Sequence, residues 1–256
     1  MKYLFVGDVH NHSYIFDEVA ELDYQYNFDR IIFMGDYVDD WDTDNHKSLE
    51  TLEKVIQLKK SNPDKYTLLW GNHENSYVGY KCSGHHIELE DLMEMKLKEN
   101  IECFDFYTKA ECEDEDYYCT HAGITNDYIK TACTNNWEAD LHDMNKNKLN
   151  SFDLLHRITY SRGGCNDYSS FLWTDIKEHI QFNLLQEPIV SHQIIGHSPV
   201  KTIKRYDNFI FVDTHSTFRD GTPFGDKSYL MWDGEKFLSA KFDENKVIKY
   251  KVLEKE

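Results

Sequence analysis

A chain of 256 residues with 46 acidic side chains against 28 Lys and Arg carries a formal charge of −18, which repels a phosphate backbone at long range and argues against nucleic-acid polymers as partners. Its 40% hydrophobic and 14% aromatic content suffices for a sizeable core, and with no Pro/Gly/Ser-rich linker a single domain over 1–256 is expected. No apolar run approaches the roughly 18 residues of a membrane span, Met1-Lys2 leads straight into a strand-like run, and the six cysteines lack C-x-x-C spacing, so a cytoplasmic protein with reduced thiols and no membrane partner is expected.

Tyr3–Val6 is a continuous apolar run that predicts a buried strand, and Ile15, Val19, Leu22 and Tyr26 then recur at helical spacing. Arg30–Met34 is a second run, followed by an aspartate-rich loop and a helix over His46–Lys60 that Asn62-Pro63 stops. Tyr66–Trp70 is a third, followed by a loop and a helix near Glu88–Lys98. The βαβαβ order predicts parallel strands covered by helices. Ile101–Tyr107 and Tyr117–Thr120 read as further strands, the acidic run Glu113–Asp116 as a solvated loop, and 126–156 as a helical excursion. The remainder is strand-rich: Gln193–Gly196, Phe209–Asp213, Tyr229–Trp232, Phe237–Phe242 and Val247–Val252, the last three forming an antiparallel meander. The expected fold is α/β, a four-layer α/β/β/α sandwich of two mixed sheets flanked by helices. Trp41, Trp70, Trp173 and Trp232 are expected in the core rather than as base-stacking platforms.

Five strand-like runs end in metal-ligand side chains: Asp8 and His10, Asp36, Asn72 and His73, His121, and His197. Loops at the carboxyl ends of strands converge, so residues scattered along the chain can meet there. One Asp or His after a strand is ordinarily a turn or capping residue, but five such sites make two half-sites sharing one carboxylate. The mixed nitrogen and oxygen donors suit Mn, Fe or Zn better than Ca.

GDVHN, GDYVDD, GNHE, THAG and GHSPV resemble the signature of calcineurin-like metallophosphoesterases, in particular the phosphoprotein phosphatase branch with the bacteriophage lambda type and the diadenosine tetraphosphatases. FLWTDI at Phe171–Ile176 is similar to that branch's LWSDP segment, and SRGG at Ser161–Gly164 resembles a stretch in its phage and bacterial members. The resemblance implies that Asp8, His10 and Asp36 hold one divalent metal and Asp36, Asn72, His121 and His197 a second, Mn being the first choice and Fe or Zn the alternatives. It implies His73 as general acid with Asp39 orienting it, and phosphomonoester hydrolysis by a metal-bridging hydroxide without a phosphoenzyme. The partner is then a phosphorylated substrate, a phosphoprotein as for serine/threonine phosphatases or, alternatively, a nucleotide polyphosphate such as diadenosine tetraphosphate. The charge disfavours a DNA nuclease, and only one departure from the pattern favours a non-catalytic scaffold.

That departure is Asp40, where the family's GDxxDRG has a phosphate-contacting arginine. Arg162, in the Gly-rich SRGG, is the candidate replacement for substrate binding, because a guanidinium fork matches two phosphate oxygens. In DTHS, where relatives commonly read DTGA, His215 is a second departure, open between metal ligation, substrate contact and packing. His85 and His86 read as a solvated loop near the rim. Oligomeric state is left open.

Overall fold

The computed structural model describes residues 1–41, 45–79, 89–183 and 186–255. His85 and His86 lie outside them. In the first half, β1 (Tyr3–Val6), α1 (Tyr14–Tyr26), β2 (Arg30–Phe33), α2 (Asn45–Ser61), β3 (Tyr66–Leu69), α3 (Asn72–Val78), α4 (Glu90–Glu99) and β4 (Phe104–Asp105) follow one another. A hairpin of β5 (Tyr107–Cys112) and β6 (Glu115–Thr120) comes next, then α5 (Asn126–Ala132), α6 (Trp137–Lys146), α7 (Phe152–Leu155) and the short α8 (Ile176–Glu178). The last third contains β7 (Gln193–Ile195), β8 (Lys204–Tyr206), β9 (Phe209–Phe211), β10 (Tyr229–Trp232), β11 (Phe237–Phe242) and β12 (Ile248–Val252).

Seven strands form one sheet in the order β12-β11-β10-β1-β2-β3-β4, and five form another in the order β5-β6-β7-β9-β8. Strands β1 to β4 run parallel, while β10 to β12 are the expected antiparallel meander joined to β1. The second sheet is also mixed, parallel through β6, β7 and β9 and antiparallel at both edges.

Side-chain alternation along each central strand builds the layers. On β1, Leu4 and Val6 pack with Ile15, Val19 and Leu22 of α1 and with Leu52 and Val55 of α2, whereas Tyr3 and Phe5 face the other way, onto Cys119, Ile194 and Ile210 of the second sheet. Strand β9 repeats the pattern: Ile210 points between the sheets, Phe209 and Phe211 outward toward Ile176 of α8. Strands buried on both faces must be continuously apolar, which is why these segments read as unbroken runs. The result is the expected α/β/β/α sandwich.

Three local expectations are corrected. Ile101–Tyr107 is not one strand: a 3₁₀ turn at Ile101–Cys103 precedes two-residue β4, and the chain then crosses to the other sheet to begin β5. The acidic run is solvated as expected, all four residues being exposed, but it is a tight hairpin turn rather than a loop, with Glu113 and Asp114 at φ 55° and 61°, Glu115 and Asp116 paired in β6, and the Glu113 carboxylate accepting from Arg205 at 2.6 Å and Tyr117 at 2.8 Å. Trp70 and Trp232 are buried and Trp173 half-buried, but Trp41 is 64% exposed. Among the described residues no helix is long and apolar enough to cross a membrane.

Candidate metal centre

The donor-bearing loops follow β1, β2, β3, β6 and β7 and meet where the two sheets open. Their backbones are unusual. His10 (φ 41°), Asp36 (φ 50°), Asp39 (φ 62°) and His197 (φ 60°) all adopt the left-handed conformation, which costs non-glycine residues energy and is retained where surrounding contacts over-determine it. Gly35 and Gly71 let two of the loops touch. A Cβ on Gly35 (φ 104°) would lie 2.9 Å from the Gly71 backbone and from His121 Nδ1, and one on Gly71 would lie 2.2 Å from Asp36 Oδ1.

Asp36 is the hub. Its Oδ1 accepts the His73 backbone N–H at 2.9 Å, while Oδ2 faces His121 Nε2 at 3.3 Å, His10 Nε2 at 3.8 Å and His73 Nε2 at 4.0 Å. Donor atoms of His10, Asp36 and His73 lie within 4.8 Å of one another, as do those of Asp36, His121 and His197, so Asp36 belongs to both groups. The Asn72 Oδ1 is 2.9 Å from His121 Nε2. Asp8 stands beside the first group, with Oδ2 3.8 Å from His10 Nε2 and Oδ1 accepting the His197 backbone N–H at 2.9 Å. All six expected ligands are therefore brought together.

The electrostatics show what the cluster lacks. His121 donates from Nδ1 to the Met34 carbonyl at 2.8 Å, which turns its Nε2 lone pair toward Asn72 Oδ1, Asp36 Oδ2 and, at 3.1 Å, His197 Nδ1. His10 likewise donates from Nδ1 to the Asp39 carbonyl at 2.7 Å, aiming Nε2 at two carboxylates. Acceptors facing acceptors repel unless a proton or a cation stands between them. Burial opposes a charged His121, but Asp36 raises its pKa to about 9. Burial and then Asp213 push Asp8 well above the carboxylate range, whereas the His121 and His73 imidazoles outweigh burial and hold Asp36 well below it. His197 is lowered well below 6.5 by burial and then by Arg162, and its buried Nε2 has no hydrogen-bond partner. This donor set fits divalent cations, which would satisfy lone pairs that the protein leaves opposed.

His73 lies at the edge of the cluster, its side chain 24% exposed, with Nδ1 3.0 Å from Asp39 Oδ2. Asp39 is itself pinned by the Tyr77 hydroxyl, which donates to Oδ1 at 2.6 Å. Burial would lower the His73 pKa, but Asp36 and Asp39 raise it to about 10.

Sequence reading gave no role to Glu74, a fully buried carboxylate. Its Oε1 accepts from the backbone N–H of Tyr37 (2.9 Å) and Val38 (3.4 Å), and its Oε2 from Asp36 and Gly71 (3.0 Å each). One side chain thus stitches the Asp36 loop to the start of α3. The signal was present, since Glu74 is the third residue of a helix capped at Gly71, the position from which a Glu reaches back in a capping box. Asp213 was also overlooked; buried and bonded to Ser216 at 2.8 Å, it adds its charge to that acting on Asp8.

Arg162 reaches the same wall. Its Nε lies 2.8 Å from Asp175 Oδ2, and one terminal nitrogen donates to Ser198 Oγ at 2.9 Å and the His197 carbonyl at 3.3 Å. Asp40 ties the loop outward: Oδ1 accepts from Thr217 Oγ1 at 2.9 Å and from the Trp41 N–H at 2.8 Å, and Oδ2 is 3.9 Å from His12 Nε2. His215 is fully buried against the Tyr229 ring (4.6 Å) with Nδ1 3.3 Å from the Tyr14 hydroxyl. Burial, then His12 and Lys227, lower its pKa to about 3. It joins neither donor group, and its buried Nε2 has no hydrogen-bond partner among the described residues.

Residues 1–201 match the family model described as calcineurin-like phosphoesterase. The chain is 23% identical over 258 residues to the serine/threonine-protein phosphatase 6 catalytic subunit of Drosophila melanogaster, covering 97% of this chain and 75% of that one. A stretch of 121 residues is 31% identical to a protein phosphatase 2A catalytic subunit of Dictyostelium discoideum, 47% of this chain and 38% of that one. Among solved structures, the cold-active protein-tyrosine phosphatase of a psychrophilic Shewanella sp. superposes with a TM-score of 0.64 at 15% identity, over 99% of this chain and 80% of that one. A protein serine/threonine phosphatase from Saccharomyces cerevisiae with similarity to human phosphatase PP5 gives 0.52 at 14% identity, over 98% and 79%. At these identities the two structural likenesses speak to the fold.

Proposed function

Because the chain belongs to the calcineurin-like phosphoesterases, hydrolases of phosphoric esters, we propose that it is a dinuclear metal-dependent phosphomonoesterase of the serine/threonine phosphatase type. The observation that carries this reading is the position of Asp36, whose carboxylate is shared by two groups of donor atoms. In this reading Asp8, His10 and Asp36 hold one cation, and Asp36, Asn72, His121 and His197 the other, with Mn the first choice for so mixed a donor set and Fe or Zn next. When bound, two cations supply Lewis-acid charge to phosphoryl oxygens and make solvent nucleophilic at neutral pH.

The chain's own residues do the rest. His73 has Nδ1 occupied by the Asp39 carboxylate, a hydrogen bond that favours its protonated form, and so presents Nε2 as the proton donor to the leaving oxygen. Asp39, fixed by Tyr77, sets the orientation of that ring. Arg162 brings a cation to the wall beside His197, standing in for the arginine that Asp40 replaces.

Elemental analysis after Mn loading tests the centre, with about two ions per chain expected for the wild type and loss of both for Asp36→Asn. A single ion that survives Asp36→Asn would overturn the shared-carboxylate reading. Phosphoserine peptide, para-nitrophenyl phosphate and diadenosine tetraphosphate assayed side by side test the reaction; turnover of the last alone would replace this reading by nucleotide polyphosphate hydrolysis.

A further inference from the structure

Of the five tryptophans only Trp41 is exposed, and it is not loosely held. Its Nε1 donates to the Thr217 carbonyl at 3.1 Å and its backbone N–H to Asp40 Oδ1, which also accepts from Thr217 Oγ1. The ring's only polar atom is therefore satisfied at the edge while its apolar surface stays open to solvent. A rigid, bare aromatic loses little freedom when another ring stacks on it.

Its place in the chain sets it near the residue that holds His73. Trp41 follows Asp39 by two residues, so their Cα atoms are at most about 7.6 Å apart, and Asp39 holds His73. If His73 protonates the leaving oxygen, as the reading above has it, the departing group leaves past this stretch. The segment that anchors Trp41 carries a second exposed aromatic, Phe218, packed on Phe224 at 5.1 Å with Lys201 Nζ over both rings at 5.0 and 4.3 Å.

We propose that Trp41 is a stacking platform for the leaving side of the substrate, so that phosphomonoesters carrying an aromatic ring there are bound in preference to otherwise similar ones without it. The inference rests on the phosphatase reading for the direction of departure, but its test does not need turnover. Calorimetric titration of the Mn-loaded full chain should show phenylphosphonate binding about tenfold tighter than methylphosphonate, the size of one buried aromatic contact. In Trp41→Ala the two affinities should become equal through loss of phenylphosphonate binding alone, and Trp41→Phe should restore most of the difference. Equal affinities in the wild type, or a parallel loss of both ligands in Trp41→Ala, would overturn the proposal.

Turnover of a phosphotyrosine peptide, a nucleoside 5′-monophosphate and a phosphoserine peptide identifies where the ring comes from. The ester whose kcat/KM falls most in Trp41→Ala is the favoured source, and an equal fall for all three counts against stacking. A ring preference in binding without hydrolysis of any ester would sink the phosphatase reading and leave the platform standing.

Discussion

Glu74→Gln exchanges one carboxylate oxygen for an amide nitrogen and removes a charge without changing shape. In the native site each Glu74 oxygen accepts from two backbone N–H groups, so the amide nitrogen of Gln must face two donors with a donor of its own. Two buried N–H groups left unpaired cost about 1–3 kcal/mol each, or roughly 2–6 kcal/mol together, against a typical folding stability of about 5–15 kcal/mol. Burial and the Asp36 charge act against ionised Glu74, and removing them offsets part of the loss. With about 2–4 °C per kcal/mol for a chain of this size, thermal unfolding of the metal-free protein followed by circular dichroism near neutral pH should show a midpoint lowered by roughly 5–20 °C. Since Glu74 also holds the Asp36 backbone, calorimetric metal affinity should fall by about 10–100-fold, the usual range for outer-shell partners. A midpoint within about a degree of wild type, with unchanged metal affinity, would refute the assignment of Glu74 as the clamp between the two loops.

His73→Ala should keep the metal content found by elemental analysis while lowering kcat by about a hundredfold or more; normal turnover would remove His73 as the acid. Burial tends to raise the Glu113 pKa, but hydrogen bonds from Arg205 and the Tyr117 hydroxyl bring it below its ordinary value. A depressed carboxylate stabilises the fold above its unfolded pKa of about 4.3 and loses that contribution as pH falls through its folded value. The gap in melting temperature between wild type and Glu113→Gln should therefore be largest near neutrality and close in acid, and a gap independent of pH would discount the pair.

The fold was legible where burial on both faces makes strands continuously apolar, as at Tyr3–Val6 and Arg30–Phe33, and where helical spacing persists for several turns, as in α1 and α2. It was not legible at Ile101–Tyr107, where a 3₁₀ turn, a two-residue strand and the start of a strand in the other sheet follow one another within seven residues, because hydropathy does not record which sheet a strand joins. Trp41 was misplaced for a related reason: its composition says core, while its exposure follows from a loop pinned by Asp40 and Thr217 from a distant part of the chain. At the site, the donors were readable because Asp and His just past a strand are poor packing choices. Of the Glu74 contacts only the reach back to Gly71 had a local signal, the capping-box position; its bonds to Asp36, Tyr37 and Val38 join backbone groups 36 to 38 residues away, which no sequence pattern displays.

Arg162 offers the sharpest test of how this chain manages without an arginine at position 40. Its guanidinium has five N–H donors in a fixed fork; Nε lies 2.8 Å from Asp175 Oδ2 as an ion pair without a hydrogen bond, and one terminal nitrogen donates to Ser198 and the His197 carbonyl. No bond from the other terminal nitrogen is seen among the described residues, and the side chain is 24% exposed, so that nitrogen can meet a phosphoryl oxygen while the rest of the fork holds the wall in place. Lysine keeps the charge but concentrates its donors on one atom and cannot do both. Arg162→Lys should therefore weaken inhibition by inorganic phosphate about 10–100-fold, the worth of one charge-assisted hydrogen bond of about 1.5–3 kcal/mol, with metal content unchanged. Adding Asp40→Arg should recover little of the loss, because residue 40 is bonded toward Thr217 and close to His12 rather than toward His197. Full recovery in the double variant would mean that the ordinary arginine position still reaches the phosphate and that Arg162 only buttresses the loop; unchanged phosphate inhibition in Arg162→Lys would mean that charge alone suffices and the fork is not used.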